Sequence, residues 1–443
     1  VAEVSGADQS MRGGSLARRL PASPLVAREG AFGENRTKSA PVSSIGFMDQ
    51  IARTSPIIFE RAKLGPLELR NRTIKAATFE GRAPRGVVTD ELIEFHREVA
   101  AGGVGMTTVA YLASSPEGRT DRHQIHLRSD AVAGLRKLTD AVHAEGAAVA
   151  AQIGHAGPVA NAASNRAPAL APSAQLSPLS MRITRKASAK DLRRIVADHA
   201  RGARFAIDSG FDSVEVHLGH NYLASSFLSP AINKRTDSYG GSLENRARFA
   251  REILRAVRDE VGSEIAVTAK LNMDDGVRGG LWLDESLQVA KWIEDDAALD
   301  ALELTCGSSL KNPLYLFRGD APLDDFAATM PQPQRAGLHA VGRHFFKEYP
   351  YSPLYLLDSA RQFRAELEMP LILLGGIGDY DSMSTAMDEG FEFVAMARAL
   401  LREPNLVRRI EADHERRSLC IHCNRCMPTI YSGTRCVLVA DPA

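Results

Sequence analysis

The feature that most restricts the fold of this chain is an eightfold alternation of short apolar runs with longer amphipathic segments. The runs are Thr73 to Ala77, Met106 to Ala110, Ala147 to Ile153, Ser213 to His217, Ile265 to Leu271, Leu299 to Thr305, Pro370 to Gly375 and Phe393 to Ala397. Each has strand length, and several are β-branched. Helical patterns lie between and after them, among them Asp90 to Ala101, Asp130 to Glu145, Ala189 to Ser209, Leu243 to Val261, Asp284 to Asp295 and Asp381 to Glu389. Several open on a capping Asp or Ser, and several close on Gly. Eight such units predict an α/β fold of the TIM (β/α)8 barrel type, although an open doubly wound sheet gives the same alternation.

The polar residues break the tie. In a barrel, catalytic groups sit at the C-terminal strand ends and in the loops that follow. The third run ends in Gln152 and His155, the fourth in His217, His220 and Tyr222, the fifth in Lys270 and Asn272, the sixth in Thr305, and the seventh in Gly375 and Gly376. An arbitrary core has no use for polar groups at four consecutive strand ends. The expected organisation is a disordered leader over 1–55, a barrel over 56–404 with an insertion at about 308–360, and a Cys-rich extension over 405–443.

Composition narrows the function classes. The 443 residues carry 54 basic and 54 acidic side chains, with 44% hydrophobic and 24% charged, an ordinary globular mixture. Zero net charge argues against a nucleic-acid partner, which takes clustered Lys and Arg, and favours a small molecule. No run reaches the ~18 apolar residues of a membrane span. The leader is rich in Ser, Ala, Gly and Arg, with four arginines and no acid between Gln9 and Arg28. That is the bias of an organellar transit peptide. Glu3, Asp8, Glu29, Glu34 and Asp49 dilute it, and a true start near Met48 is the alternative.

The segment from Glu215 to Arg248, EVHLGHNYLASSFLSPAINKRTDSYGGSLENRAR, closely resembles the signature of the old yellow enzyme family. Its members are FMN-containing ene reductases on a TIM barrel. His217, His220 and Tyr222 hold the three key places, followed by the Tyr239-Gly240-Gly241-Ser242 turn and Glu244-Asn245-Arg246. The residues themselves agree with the resemblance. Two imidazoles three residues apart, just past a strand end, can both donate hydrogen bonds to one carbonyl oxygen and stabilise an enolate. A tyrosine two residues on can protonate the α carbon. The bland alternative is that the histidines cap a strand and Tyr222 packs. A zinc pair is a weaker rival, because no third ligand follows at metal spacing.

The resemblance extends to a flavin site. Ala151-Gln152-Ile153-Gly154-His155 matches a family segment whose Gln bonds the pyrimidine edge of FMN, with Pro158 where an Arg is common. Ala77 and Thr78, after the first run, are expected beside the ring, and strict counting puts Phe79 at the place that tunes flavin O4. Ala110 stands where a small residue lets the ring lie flat. Lys270 stands where relatives carry a cation against flavin N1 and C2=O. Its flank from Val267 to Leu271 is mostly apolar, so a buried partner anion is expected. Gly375 and Gly376, with Ala397 and Arg398 one strand later, match the phosphate site of FMN barrels. Glycines there let N–H groups approach the phosphate, and an Arg can pair with it.

Four of the five cysteines, Cys420, Cys423, Cys426 and Cys436, fall in the last 24 residues. One clustered group in a cysteine-poor chain reads as metal binding in a reducing compartment. A cytoplasmic location is expected, with organellar import if the leader is a transit peptide. The segment resembles the iron-sulfur loop of 2,4-dienoyl-CoA reductase and trimethylamine dehydrogenase, although its last gap is shorter. Three readings stay open: a [4Fe-4S] cluster, a structural zinc, or an unmetallated vestige. Cys306 reads as a small buried hydrophobe. The long connection after the sixth run reads either as a lid or as a packing or dimer element, and a homo-oligomer is allowed.

The function expected is an FMN-dependent ene reductase using NAD(P)H and an enone-type small molecule. One alternative is an iron-sulfur flavoprotein that acts on dienoyl thioesters or amines and passes electrons to a separate partner. Another, of a different class, is a flavin-binding redox sensor.

Overall fold

The eight runs become eight parallel strands. They are β1 (Thr73–Lys75), β2 (Met106–Ala113), β3 (Ala148–Gly154), β4 (Ser213–Leu218), β5 (Ala266–Asn272), β6 (Ala301–Thr305), β7 (Leu371–Leu374) and β8 (Phe393–Met396). In the computed structural model, which describes residues 57–439 other than 178–179, 331 and 333, they follow one another in sequence order and close into a barrel. Pairing of β3 with β4 and of β8 with β1 completes the ring. The barrel is the predicted TIM fold. The expected leader lies outside the described residues.

Local chemistry explains the elements. β2, β4, β5 and β6 are buried at every position, as parallel strands are when helices cover one face and a filled interior the other. Helix Asp90–Ala101 begins where the Thr89 side chain accepts from Leu92 N, and helix Ala189–Asp208 opens on a capping box of Ser188 and Asp191. Such caps each contribute about 1 kcal/mol. Helix Leu243–Val261 starts at Ser242 of the predicted glycine turn.

Packing sets the polarity of the interior. Ile74, Met106, Ala150, Ala266, Ala301, Ile372 and Phe393 form an apolar plug with Leu64 and Leu69 of the hairpin that precedes β1. Residues nearer the C-terminal strand ends are polar, so the barrel has a dry, uncharged floor and a charged upper layer. A register shift between Val109 and Leu112 interrupts the pairing of β2 with β3 at Ala110 and Tyr111. Bulges of this kind re-aim side chains.

Two segments outside the repeat lie against each other at the rim. The connection between β6 and β7 carries helices Leu323–Ala328, Gln334–Phe345 and Leu357–Glu366. It meets the Cys-rich tail through Asp320 N to His422 O (3.2 Å) and through the Arg425–Asp325 ion pair (3.1 Å). The tail itself is pinned beside β7 by Ser418 N to Gly378 O (2.8 Å) and beside β1 by Thr434 N to Glu80 O (2.7 Å). Among the described residues no helix is long and apolar enough to cross a membrane.

Candidate active site

The end of β4 carries the histidines and the tyrosine. His217 is the fifth residue of the strand and is buried. The chain then turns through His220 and Asn221, both left-handed with φ of 59° and 58°, before Tyr222 caps the short helix Leu223–Leu228. Two consecutive non-glycine residues in that region cost about 1–2 kcal/mol each. The neighbouring strand end holds them there. Asn272 Oδ1 accepts from His220 N (3.0 Å), and Asp275 Oδ1 accepts from Asn221 Nδ2 (3.1 Å) and Asn272 Nδ2 (2.9 Å).

The turn brings three rings together. The His217 centroid lies 5.2 Å from that of His220 and 4.6 Å from that of Tyr222. Tyr111, in the bulge of β2, meets Tyr222 edge-on at 5.4 Å, and its hydroxyl bonds Gly118 O and Thr120 Oγ1, both at 3.0 Å. His220 Nε2 is 3.1 Å from Thr305 Oγ1, and His217 Nδ1 is buried without a hydrogen-bond partner among the described residues. Burial, with His220 and Lys270 nearby, holds His217 well below the usual imidazole range, and burial and Lys270 bring His220 down to about 3. Both rings are therefore neutral donors at neutral pH. Burial pushes the Tyr222 phenol up to about 12 against a hydrogen bond with Thr120, so it keeps its proton.

Beneath these rings lies a layer of buried charge. Lys270 Nζ is 2.5 Å from Glu303 and 3.3 Å from Glu215, and Gln152 Nε2 donates to the same Glu215 at 2.5 Å. Lys270 is thus paired with two acidic side chains of the protein itself. Burial pulls the ammonium down, but Glu215 and Glu303 outweigh it and its net shift is upward. Burial pushes Glu303 up to about 8, with Lys270 opposing and Glu215 adding. A second ammonium, Lys75, donates to Thr78 Oγ1 (2.8 Å) and lies 3.9 Å from Glu80, whose oxygens accept from Ala110 N (3.1 Å). Burial lowers Lys75 to about 8. Sequence reading did not single out Lys75, Glu80, Glu215 or Glu303. The signal was a charged residue inside each apolar run or just past it.

The predicted phosphate residues surround one cavity of about 210 Å³, walled by Gly375 to Asp379, Ala397 to Ala399, Tyr351, Tyr355, Arg417 and His422. Gly375 and Gly376 have φ of 102° and 78°, and a Cβ on Gly376 would stand 2.4 Å from Leu354 N, so only glycine fits. Backbone amides at two strand ends together with two arginines suit an anion, and the residues present fit a nucleotide phosphate. Arg398 Nη1 donates to Arg318 O (2.9 Å) and to Asn424 Oδ1, which ties this wall to the insertion and the tail. Ala77 and Phe79 pack in the small cluster that holds Ala110, Tyr111 and Tyr222.

All four tail cysteines line a second, smaller cavity with Arg398, Leu401 and Asn424. Burial pushes Cys426 up to about 12, and Arg402 Nη1 lies 4.0 Å from Cys436 Sγ. Among the described residues no three His, Cys, Asp or Glu side chains converge as ligands of a single ion.

The sequence profile of one family, NADH:flavin oxidoreductase / NADH oxidase, matches residues 57–305. The chain is 58% identical over 384 residues to a 4,4'-dithiodibutanoate disulfide reductase of Rhodococcus erythropolis, covering 87% of this chain and 95% of that protein. It is 32% identical to a metal reductase of Desulforamulus reducens over 85% of this chain, but spans only 52% of that protein. A solved 2-naphthoyl-CoA reductase complex superposes with a TM-score of 0.74 at 27% identity, over 86% of this chain and 56% of the other. The chain thus spans nearly the whole of one relative and about half the length of the other two. A profile that runs from the residue before Ile58 to the end of β6, together with a relative matched almost end to end, makes the chain a member of the NADH:flavin oxidoreductase / NADH oxidase family and an FMN-dependent oxidoreductase.

Proposed function

We propose that the protein reduces the C=C bond of α,β-unsaturated carbonyl compounds, with Tyr222 as proton donor. The observation that carries this reading is the end of β4, where two neutral imidazoles and a protonated phenol converge with ring separations of 4.6–5.2 Å. In this reading Gln152 and Lys270 hold the pyrimidine side of FMN, Ala77, Thr78 and Ala110 line its ring, and Gly375, Gly376, Ala397 and Arg398 take its phosphate. FMN held there would supply the redox chemistry, the exchange of hydride between NAD(P)H and the β carbon of the acceptor. His217 and His220 each donate one N–H to the acceptor's carbonyl oxygen and stabilise the charge it gains. Tyr222 Oη–H gives its proton to the α carbon, and the phenolate regains a proton from water. One hydride and one proton saturate the bond.

The test is Tyr222→Phe assayed with 2-cyclohexenone. Turnover of the enone should fall about 10²–10⁴-fold, the usual contribution of a positioned acid, while NAD(P)H still bleaches the flavin. Full turnover would remove Tyr222 from the proton step.

A second reading is favoured by the Rhodococcus relative, whose named substrate is an organic disulfide. Hydride would then break the S–S bond, one sulfur leaving as thiol and the other as thiolate, which takes its proton from water. Steady-state kcat/KM for 2-cyclohexenone and for 4,4'-dithiodibutanoate on the same preparation separates the two readings. We assign the cysteine quartet to a [4Fe-4S] cluster in preference to zinc, because three cysteines on one tight loop and a distant fourth suit a cubane cluster.

A further inference from the structure

One of the side chains that reach the phosphate cavity from outside β7 and β8 belongs to the Cys-rich tail. His422 sits in the cysteine loop between Cys420 and Cys423 and lines the same cavity as Gly375, Gly376 and Arg398. Its backbone is left-handed, with φ of 60°. An L-residue with a ringed side chain enters that region at a cost of about 1–2 kcal/mol, and glycine would enter it freely. The turn is enforced by its surroundings. His422 O accepts from Asp320 N at 3.2 Å, its backbone N–H bonds to Cys420, and a Cβ on Gly319 would stand 2.0 Å from His422 O. A strained imidazole at a forced turn points to a use for the ring.

The ring is also placed. It stacks on Tyr351 with centroids 3.3 Å apart and planes 13° from parallel, and Tyr351 Oη lies 3.4 Å from Gly376 O. Tyr351 therefore fixes the imidazole against the glycine turn that forms the opposite wall. Among the described residues no group hydrogen-bonds the ring nitrogens of His422. An imidazole has an N–H to donate in either protonation state.

We propose that His422 is a ligand of the flavin phosphate, so that the cysteine loop forms one wall of the flavin site. This rests on assigning the cavity to the phosphate. It also makes the two sites share a wall through neighbouring residues. Arg398, which lines both cavities, donates to Asn424 Oδ1, and Asn424 Nδ2 donates to Asp320 O at 2.9 Å.

The experiment compares FMN with riboflavin, which lacks the phosphate, by quenching of flavin fluorescence on the apoprotein of wild type, His422→Gly and Arg398→Ala. Glycine is at home at φ 60°, so His422→Gly relieves the backbone and the fold is kept. We expect His422→Gly to weaken FMN binding about tenfold or more, the loss of one hydrogen bond to a charged group, and to leave riboflavin affinity unchanged. Equal loss of both flavins would overturn the phosphate role, as would unchanged FMN affinity while Arg398→Ala loses it. If neither variant alters the preference for FMN over riboflavin, the assignment of the cavity falls and the inference falls with it.

Discussion

Thr305 Oγ1 stands 3.1 Å from His220 Nε2, across the register pair that aligns Thr305 with Asn272. Two ring tautomers are compatible with that distance, but only one serves a carbonyl. If the threonine hydroxyl donates to Nε2, the proton of the neutral ring is on Nδ1 and is available to a substrate. The proposed role of His220 therefore needs Thr305 as a hydrogen-bond donor. Thr305→Val keeps the shape and removes the donor. We expect kcat/KM for the preferred acceptor to fall about tenfold, the scale of one hydrogen bond, with no change in the rate at which NAD(P)H reduces the flavin. Stopped-flow traces of the two half-reactions check both halves of that statement.

The buried charge layer makes a prediction about stability. Lys270 is the cation between Glu215 and Glu303. Lys270→Met leaves the buried Glu215–Glu303 pair without its cation, and removing one partner of a buried ion pair costs about 3–5 kcal/mol. Glu303→Gln removes a carboxylate already pushed up to about 8, so it leaves the Lys270–Glu215 pair intact and should cost far less. Urea unfolding of the flavin-free variants measures the difference. If Lys270→Met is the milder change, the layer is not held by that ammonium.

These two cases show what the sequence could and could not disclose. Each barrel strand is one uninterrupted run, so β1 to β8 were legible from composition along the chain alone, and helix Asp90–Ala101 was legible from its cap and period. His217, His220 and Tyr222 were legible because they sit within six residues of one another. Glu215 and Glu303 were not, because they are 63 and 151 residues from Gln152 and only barrel closure brings them to Lys270. The docking of the tail was hidden for the same reason. Its anchors, Gly378 and Glu80, are 40 and 354 residues from Ser418 and Thr434. The insertion read as a lid or a packing element, and Tyr351, Tyr355 and Asp320 bring it against the phosphate cavity and the tail.

Acid should weaken the fold through buried imidazoles. Burial lowers His199 to about 4, with its Nδ1 2.7 Å from Ile195 O, and holds His217 well below the usual range. A histidine with a depressed folded pKa contributes its full stability above the unfolded value of about 6.5. That contribution is lost as pH falls toward the folded value, because the unfolded chain takes up the proton first. Each such group adds a slope of up to about 1.4 kcal/mol per pH unit in this window. Unfolding free energies from urea titrations between pH 7 and pH 4.5 should decline, and His199→Gln should decline less steeply than wild type by about one proton. An equal slope would mean that His199 is protonated in the folded protein.

The cysteine cavity yields the last prediction. A single zinc needs four sulfurs at about 2.3 Å from one centre, whereas a cubane cluster accepts four thiolates spaced around a larger body. Cys420, Cys423, Cys426 and Cys436 line one cavity, and Arg398 and Arg402 supply positive charge beside it. Thiols that burial pushes up, Cys426 to about 12, are poor nucleophiles and poor ligands until a cation lowers them. Cys426 therefore becomes anionic only on loading. Protein purified without oxygen should contain about four iron and four acid-labile sulfide per chain, with broad absorption beneath the flavin bands. Cys423→Ser should lose both while keeping the barrel's circular dichroism. One zinc per chain, with no sulfide, would reverse the preference, and thiols that react freely in the untreated protein would leave the loop without a metal.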